Sequence, residues 1–531
     1  MAADLLVTNA RVVDGTGAPW FRGAVAVRDG RVEAVHRTTS PAVEAETRID
    51  ADGMVVAPGF IDTHSHADLE LFADPSLAPT VRQGITTAVI GQDGFSMAPM
   101  ARDGAAEWQA HLRGLAGTVD VDWTWGSVAD YLDAIDDAGI APNVATLVGH
   151  GTVRYGVMGM ADREADAAEL EAMGDRVTAA LEDGAVGLST GLVYVPQVAA
   201  TTAEVRALAA RLAPFGRPFV AHIRNERHRL WEALDEFIDI GAETGVPIHW
   251  SHVKLPGPLQ HGTVDRALAM VEAARERGID VTGDQYPYTA GATMLSNVLP
   301  PWVSAEGPEQ ALDYLADPDA RERIRDDVYE WRDDAWENRG TYTGWDNIVV
   351  TGDLSPANAD AVGRSVATIA ADRGVDPVTA VCDLLLDEDL GVSMLLHQVD
   401  EDDVRDILGA DWVGVATDGL FGGQPHPRVY GTYPRILARY VREENRLSIE
   451  AAVRKMTSLP ARAMGFETKG LVRPGMDADL VVFDPRTVDT DATYAAPARF
   501  PTGIPHVVVD GALVVREGEL TGQTPGSAIR H

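Results

Sequence analysis

The sequence predicts an α/β fold: a metal-dependent (β/α)8 barrel of the TIM type, with a small β-sandwich built from both termini and an inserted lid segment. Three observations predict it. Strand-like alternation fills both ends of the 531-residue chain. The middle alternates strand-like with helix-like segments. Metal-competent side chains collect where the middle strands end.

Residues 1–57 carry Leu5-Leu6-Val7-Thr8, Gly23-Ala24-Val25-Ala26-Val27 and Arg31-Val32-Glu33-Ala34-Val35 between Gly and Asp turns. These read as short antiparallel strands. Residues 467–531 resume the same texture in Ala478-Asp479-Leu480-Val481-Val482-Phe483 and His506-Val507-Val508-Val509. The two ends are therefore expected to meet in one sandwich. Residues 58–466 form the expected catalytic barrel. Its eight strand candidates are one ending at His66, then 86–91, 146–150, 185–189, 219–223, 247–252, 281–288 and 412–418. Strand-like segments at 347–352 and 392–397 compete for places in that count. From about 290 to 344 the texture turns to Pro, Trp, Asp and Arg without barrel periodicity, which marks the insertion and expected lid.

Composition narrows the function. The apolar fraction of 45% fits a globular chain. The N-terminus lacks the pattern of a signal peptide, and no apolar run approaches the roughly 18 residues of a membrane span. Cytoplasm is the expected location, with no membrane partner. Cys382 is the only cysteine, which excludes an internal disulfide or a multi-cysteine zinc site. Acidic residues number 81 against 44 basic ones, a field that repels phosphate backbones and argues against nucleic acid. Only three residues are lysines: Lys254, Lys455 and Lys469. A GC-rich genome would exchange Lys for Arg without creating the acid surplus. Adaptation to high salt produces both, and is the favoured reading.

The run Val55-Val56-Ala57-Pro58-Gly59-Phe60-Ile61-Asp62-Thr63-His64-Ser65-His66 is the most informative one. Residues two apart on a strand share a face, so His64 and His66 project together, as half of a coordination shell. Four more strand ends add candidates. Asp93 follows 86–91 in a Gly-flanked turn, and His222, His252 and Asp418 close later strands. His249, three residues before His252, should face away and is left out of the set.

These residues resemble the amidohydrolase superfamily, and the wording is close to its N-acyl-D-amino-acid deacylase (D-aminoacylase) branch. The matching passages are 58–68, 91–99, 184–196, 221–226, 251–254, 284–288 and 417–435, in the family's order. The resemblance implies hydrolysis of N-acyl-D-amino acids in a metal-bearing barrel. It implies that His222 and His252 hold a tight metal with a bridging side chain, and that His64, His66 and Asp418 form a second position. The bridge in well-known members is a cysteine. Here Asp93 stands in its place, a harder ligand than a thiolate. The expected cofactor is therefore Zn2+, as one or two divalent ions, with a harder ion open.

A divalent ion makes water a nucleophile near neutral pH and polarises an amide carbonyl. Asp418 is the expected catalytic base, passing its proton to the leaving amine. Lys254, two residues past His252, and Arg428 are the candidates for the substrate carboxylate. By resemblance, Tyr194 and a tyrosine of Tyr286-Pro287-Tyr288, taken as Tyr288, line the substrate pocket. His150 stands open between support of the site and packing, and His228 is expected at the surface of a polar helix. The alternative enzyme is a cyclic-amide hydrolase of dihydroorotase or hydantoinase type. The absence of a lysine in the fourth strand counts against it. A non-catalytic scaffold is disfavoured because each expected ligand position holds a competent side chain. Side-chain preference and oligomeric state have no motif; the partner expected is a small-molecule substrate.

The charge bias generates a prediction. At about 0.01 M salt the Debye length is roughly 30 Å, and at 1 M about 3 Å, so self-repulsion fades across that range. Melting temperature and activity should rise as potassium or sodium chloride increases toward molar concentrations. A flat or falling melting temperature would favour the GC-rich-genome reading.

Overall fold

The computed structural model describes residues 2–101, 103–117, 119–121, 123–331 and 336–531. Residues 332–335 of the expected inserted segment lie outside the described residues.

Both ends of the chain meet in one nine-stranded sheet. Its central strand, Ala3–Val12, pairs antiparallel with Phe21–Arg28 on one side. On the other side it pairs parallel with Ala45–Asp50 and then Val55–Pro58. The N-terminal strands are thus not all antiparallel, because the 37–44 connection carries the chain back to the start of the first strand. Val55–Pro58 also pairs with Leu480–Phe483, which joins the two ends of the sequence.

Strand pleating sends alternate residues to opposite faces, and here both faces are buried. Leu480, Val482 and Val508 pack with Val7 and Val25 on one side. Val481, Phe483, Val507 and Val509 pack on the other with Phe60, Val415 and Tyr433, which belong to the barrel half. Val55 and Ala57 follow the second set and Val56 the first. The near-continuous apolar runs of these strands follow from this double burial.

The barrel has eight parallel strands among the described residues. Phe60–Asp62, Ile85–Ile90 and Asn143–Thr146 form one arc. Val148–Gly149, Leu188–Gly191, Phe219–His222, Ile248–Trp250, Val281–Gln285 and Val413–Val415 form the other. The arcs join where 143–149 runs through Leu147, whose N–H donates to the Ile90 carbonyl (2.9 Å). They close where Asp418 N–H donates to the His64 carbonyl (2.8 Å) and Ser65 bridges Gly419.

Crossover helices show the expected sequence logic. Leu230–Thr244 buries Leu230, Ala233, Leu234, Phe237, Ile238 and Gly241, a stripe with helical spacing, and stops at Gly245 with φ +70°. Val128–Ala138 and Ala167–Glu182 each begin with a capping box, Ser127 with Asp130 and Asp166 with Glu169. No helix among the described residues is long and apolar enough to cross a membrane.

The two surplus strand-like segments belong elsewhere. Ile348–Thr351 and Ser393–His397 pair antiparallel, and Ala290–Met294 completes a separate three-stranded sheet. Leu295, Ile324, Val366 and Leu384 are among its core residues, with Cys382 buried among them. Burial pushes the Cys382 thiol up to about 12, which leaves it an inert apolar filler. This unit lies between the seventh and eighth barrel strands and contributes residues to the roof of the barrel mouth.

Phe483 joins the terminal sheet to the barrel, its ring 6.2 Å from that of Phe60. Phe483→Ala should lower stability by about 3–5 kcal/mol, the usual scale for emptying a buried aromatic site. Denaturant unfolding of the purified protein measures it; a shift below about 1 kcal/mol would show that the sheet does not brace the barrel.

Candidate metal centre

Each candidate ligand sits where a barrel strand gives way to its loop, the end at which barrel active sites are built. Strand alternation alone does not aim them. Asp93, His252 and Asp418 adopt left-handed backbone conformations, with φ of +55°, +39° and +50°. Asp and His are among the residues that tolerate this region, and the surroundings hold them there. Gln197 accepts the Gly191 N–H (2.8 Å) and donates to the Asp93 carbonyl (3.0 Å). Gly94 is required beside it, since a Cβ there would lie 2.0 Å from Gln197 Oε1. His252 N–H donates to Asp284 Oδ1 (2.6 Å).

The six predicted side chains converge. His222 Nδ1 and His252 Nε2 lie 3.0 Å apart. Asp93 Oδ1 is 4.0 Å from the first and 3.5 Å from the second. His64 Nε2 and His66 Nε2 are 3.6 and 3.4 Å from Asp418 Oδ1. Asp93 faces this pair too, Oδ1 at 3.7 Å from His64 and Oδ2 at 3.7 Å from His66. All six are buried. His64 Nε2 and Asp93 Oδ1 have no hydrogen-bond partner among the described residues. Buried polar atoms left without partners and aimed at one another are what a cation satisfies. Imidazole nitrogen with carboxylate oxygen is a donor set that suits zinc.

The electrostatics agree. Burial pulls His64 down to about 4 and His222 to about 3, so both present neutral rings. Burial and then Lys254 pull His252 down, but its contacts with Asp93 and Glu226 outweigh them and hold it at about 9. That proton sits between two carboxylates, a place a cation can take. Burial would raise Asp93, yet His64, His252 and His222 hold it well below the usual carboxylate range. Asp418 is likewise held low, against burial, by Arg428 and then His64. Arg428 Nη1 lies 2.9 Å from Asp418 Oδ2, leaving Oδ1 toward the histidines.

Beneath the ligands runs a polar layer. Thr63 donates to Asp284 Oδ2 (2.6 Å), and His249 Nε2 lies 2.9 Å from the same oxygen. Thr417 donates to Asp62 (2.6 Å), and burial raises that carboxyl to about 7. His249 stays off the ligand set, as expected, although the alternation argument is incomplete. The strand ends at Trp250 and His252 turns back through its left-handed backbone.

Several expectations change in place or partner. Lys254 lines the chamber, but its ammonium lies 2.6 Å from Glu226 Oε1 and 2.8 Å from His252 Nδ1. Tyr288 stands outside the chamber, edge-on to His426 and Tyr494. The strand ends at Gln285 and the chain bends, so Tyr286 lines the chamber instead, its hydroxyl buried without a hydrogen-bond partner among the described residues. Tyr194 is in the wall, bonded to Thr293 (3.1 Å). His150 lies behind the Asp93 turn, 2.9 Å from Glu204 and 3.1 Å from Thr190. His228 is half-buried in a turn, not on a helix.

Sequence reasoning missed Glu226, which is 1% exposed among His222, His252 and Lys254. Its signal was present: a Glu four residues past a ligand histidine, beside one of only three lysines once the strands pair. It also missed Glu337 and Arg339. Glu337 accepts the Glu226 N–H (2.7 Å), Arg339 Nε (3.1 Å) and a close contact from Arg227.

The chamber itself measures about 30 Å³, roofed by Ala292, Thr293, Arg339 and Gln398. That is room for about two waters. A second cavity of about 370 Å³ adjoins it, lined by Leu192, Met294, Leu299, Trp336 and Glu337. Tyr194 and Thr293 face the chamber, while their sequence neighbours Val193, Val195 and Met294 face the larger cavity.

Comparison with known proteins bears on this arrangement. The profile of the amidohydrolase family matches residues 47–515. A D-aminoacylase of Alcaligenes xylosoxydans xylosoxydans is 34% identical over 527 residues, 99% of this chain and 97% of its own. An N-acyl-D-glutamate deacylase of the same organism is 35% identical over 528 residues, 99% and 96% of the two chains. The solved N-acyl-D-glutamate deacylase from Bordetella bronchiseptica, complexed with zinc and a phosphonate inhibitor that mimics the tetrahedral intermediate, superposes with a TM-score of 0.84. It is 35% identical and covers 100% of each chain.

The geometry predicts how metal content responds to substitution. His222→Ala and His252→Ala should each lower bound zinc and abolish activity. Asp93→Ala should lose metal, whereas Asp93→Cys should keep zinc, since thiolate is a good zinc ligand. Elemental analysis with an activity assay reads both. A metal-replete, active Asp93→Ala protein would make that turn merely structural.

Proposed function

The chain belongs to the amidohydrolase family, and we propose that it hydrolyses the linear amide of N-acyl-D-amino acids to a carboxylate and a free D-amino acid. Zinc is the proposed cofactor, held by His222, His252 and Asp93 at one position and by His64, His66 and Asp418 at the other. Asp93 is shared between them. A harder divalent ion is compatible with a carboxylate in the shared place. The observation that carries the reading is the Asp418 carboxylate, anchored through one oxygen by Arg428 and presenting the other to the paired histidines. The full-length likeness to the two deacylases named above supports the substrate class.

Zinc in this set supplies polarisation of the amide carbonyl and a water that ionises near neutral pH. The remaining work falls to the chain. Asp418, held as an anion, accepts the proton of the attacking water as the new C–O bond forms. It then delivers that proton to the amide nitrogen as the C–N bond breaks, so that a neutral amine leaves. Arg428 keeps the Asp418 carboxylate in register. Its Nε has no hydrogen-bond partner among the described residues, and its guanidinium lies 4.7 Å over the Tyr286 ring. With the free Tyr286 hydroxyl it offers donors for the substrate's carboxylate. Lys254 adds positive charge to the same chamber while bound to Glu226. Tyr194 closes the wall toward the larger cavity, which has room for the substrate's side chain or acyl group. Since the chamber as it stands holds about two waters, the roof must yield when substrate enters.

Within this reading, residues 1–57 and 467–531 are assigned to the sheet domain and 58–466 to the catalytic barrel with its insertion. A kinetic screen of N-acetyl-D- and N-acetyl-L-amino acids beside cyclic amides tests the reaction. Turnover of the D series alone is expected; turnover of cyclic amides alone would replace this reading with the cyclic-amide hydrolase. Asp418→Asn should cut kcat by at least about a hundredfold, the usual scale for a lost acid–base group, while leaving zinc at the His222–His252 position. Unchanged turnover would move the base elsewhere.

A further inference from the structure

We infer that Glu226 is a positioning residue which orients His222 toward the metal through the outward nitrogen of its ring. This rests on the reading of His222 and His252 as ligands and extends it. His222 Nδ1 and His252 Nε2 face Asp93 and one another. The opposite nitrogen of His222, Nε2, lies 3.6 Å from Glu226 Oε2. On the His252 side Lys254 Nζ stands between, 2.8 Å from His252 Nδ1 and 2.6 Å from Glu226 Oε1, which leaves Oε2 to His222. His222 Nε2 is buried and has no hydrogen-bond partner among the described residues, and Glu226 is the carboxylate it faces.

An imidazole can donate a lone pair to a metal from one nitrogen only while its proton sits on the other. An acceptor beside that outer nitrogen selects the tautomer, holds the ring plane and raises ring basicity. The 3.6 Å separation exceeds a closed hydrogen bond, so the contact is that of a carboxylate held opposite the His222 ring rather than a finished bond.

Glu226 is itself held from two sides. Lys254 Nζ lies 2.6 Å from Oε1, and the Glu226 backbone N–H donates to Glu337 Oε1 (2.7 Å). The loop after the fifth strand therefore carries ligand and orienting carboxylate four residues apart. Lys254 neutralises that carboxylate in a site from which water is largely withdrawn.

The test is zinc affinity of the full-length protein after chelator stripping, read by competition with a chromophoric chelator. Glu226→Gln should weaken zinc binding at the His222–His252 position by about 10–100-fold, the usual loss when an orienting partner is removed. Glu226→Asp keeps the charge but withdraws it by one methylene, and should fall between. Because Glu226→Gln leaves Lys254 buried and unpaired, the double variant Glu226→Gln/Lys254→Met removes both charges together. It should show the same loss of affinity while its metal-free melting temperature stays near that of the parent. Parental zinc affinity in the double variant would overturn the inference. His222→Ala, measured alongside, separates the two levels: undiminished zinc there overturns the ligand assignment itself. Loss of zinc in His222→Ala with parental affinity in the Glu226 variants overturns only the role given to Glu226.

Discussion

A single buried carboxylate organises the molecule. Asp93 stands within 4.0 Å of nitrogens from His64, His66, His222 and His252, and none of the five is more than 7% exposed. A carboxylate withdrawn from water costs several kcal/mol unless positive charge meets it. Three barrel strands deliver four imidazoles to that point, and burial keeps His64 and His222 neutral. Two neutral rings beside an anion leave a place for a cation.

Regular strands would not aim these groups correctly. Three of the six candidate ligands depart into left-handed backbone, each tied by a specific partner. The Asp93 carbonyl is held by Gln197, the His252 N–H by Asp284 and the Asp418 N–H by the His64 carbonyl. The strain is small for Asp and His but not zero, and it sits where the chemistry is. His249, Thr63 and Asp284 beneath form the rigid floor that makes such conformations affordable.

Cations are placed with economy. Arg428 meets Asp418 and Lys254 meets Glu226, two ion pairs that hold the two carboxylates flanking the metal positions. All three lysines of the chain are buried: Lys254 in the chamber, Lys455 bonded to the Ala410 and Val413 carbonyls, Lys469 against Asp477 and Asp479. The lysine-poor composition is therefore a property of the surface, where arginine alone supplies long cationic side chains.

Much of this was legible in the sequence. Short apolar runs marked the eight barrel strands, since a strand buried on both faces leaves such a run wherever it lies. The spacing of His64 and His66, and the polar residue closing each later strand, identified the six converging side chains. Tertiary structure decided what periodicity cannot carry. Ile348–Thr351 and Ser393–His397 read as barrel strands until pairing with Ala290–Met294 removed them, because a strand's pattern records burial and not its partner. Tyr286 rather than Tyr288 reaches the chamber because the backbone bends where the strand stops. Lys254 meets Glu226, not open solvent, because parallel pairing of the fifth and sixth strands sets their loops side by side. One chain in isolation determines which residues can face inward; only the packed barrel determines which of them meet, because contacts between loops depend on strand order and register rather than on distance along the sequence.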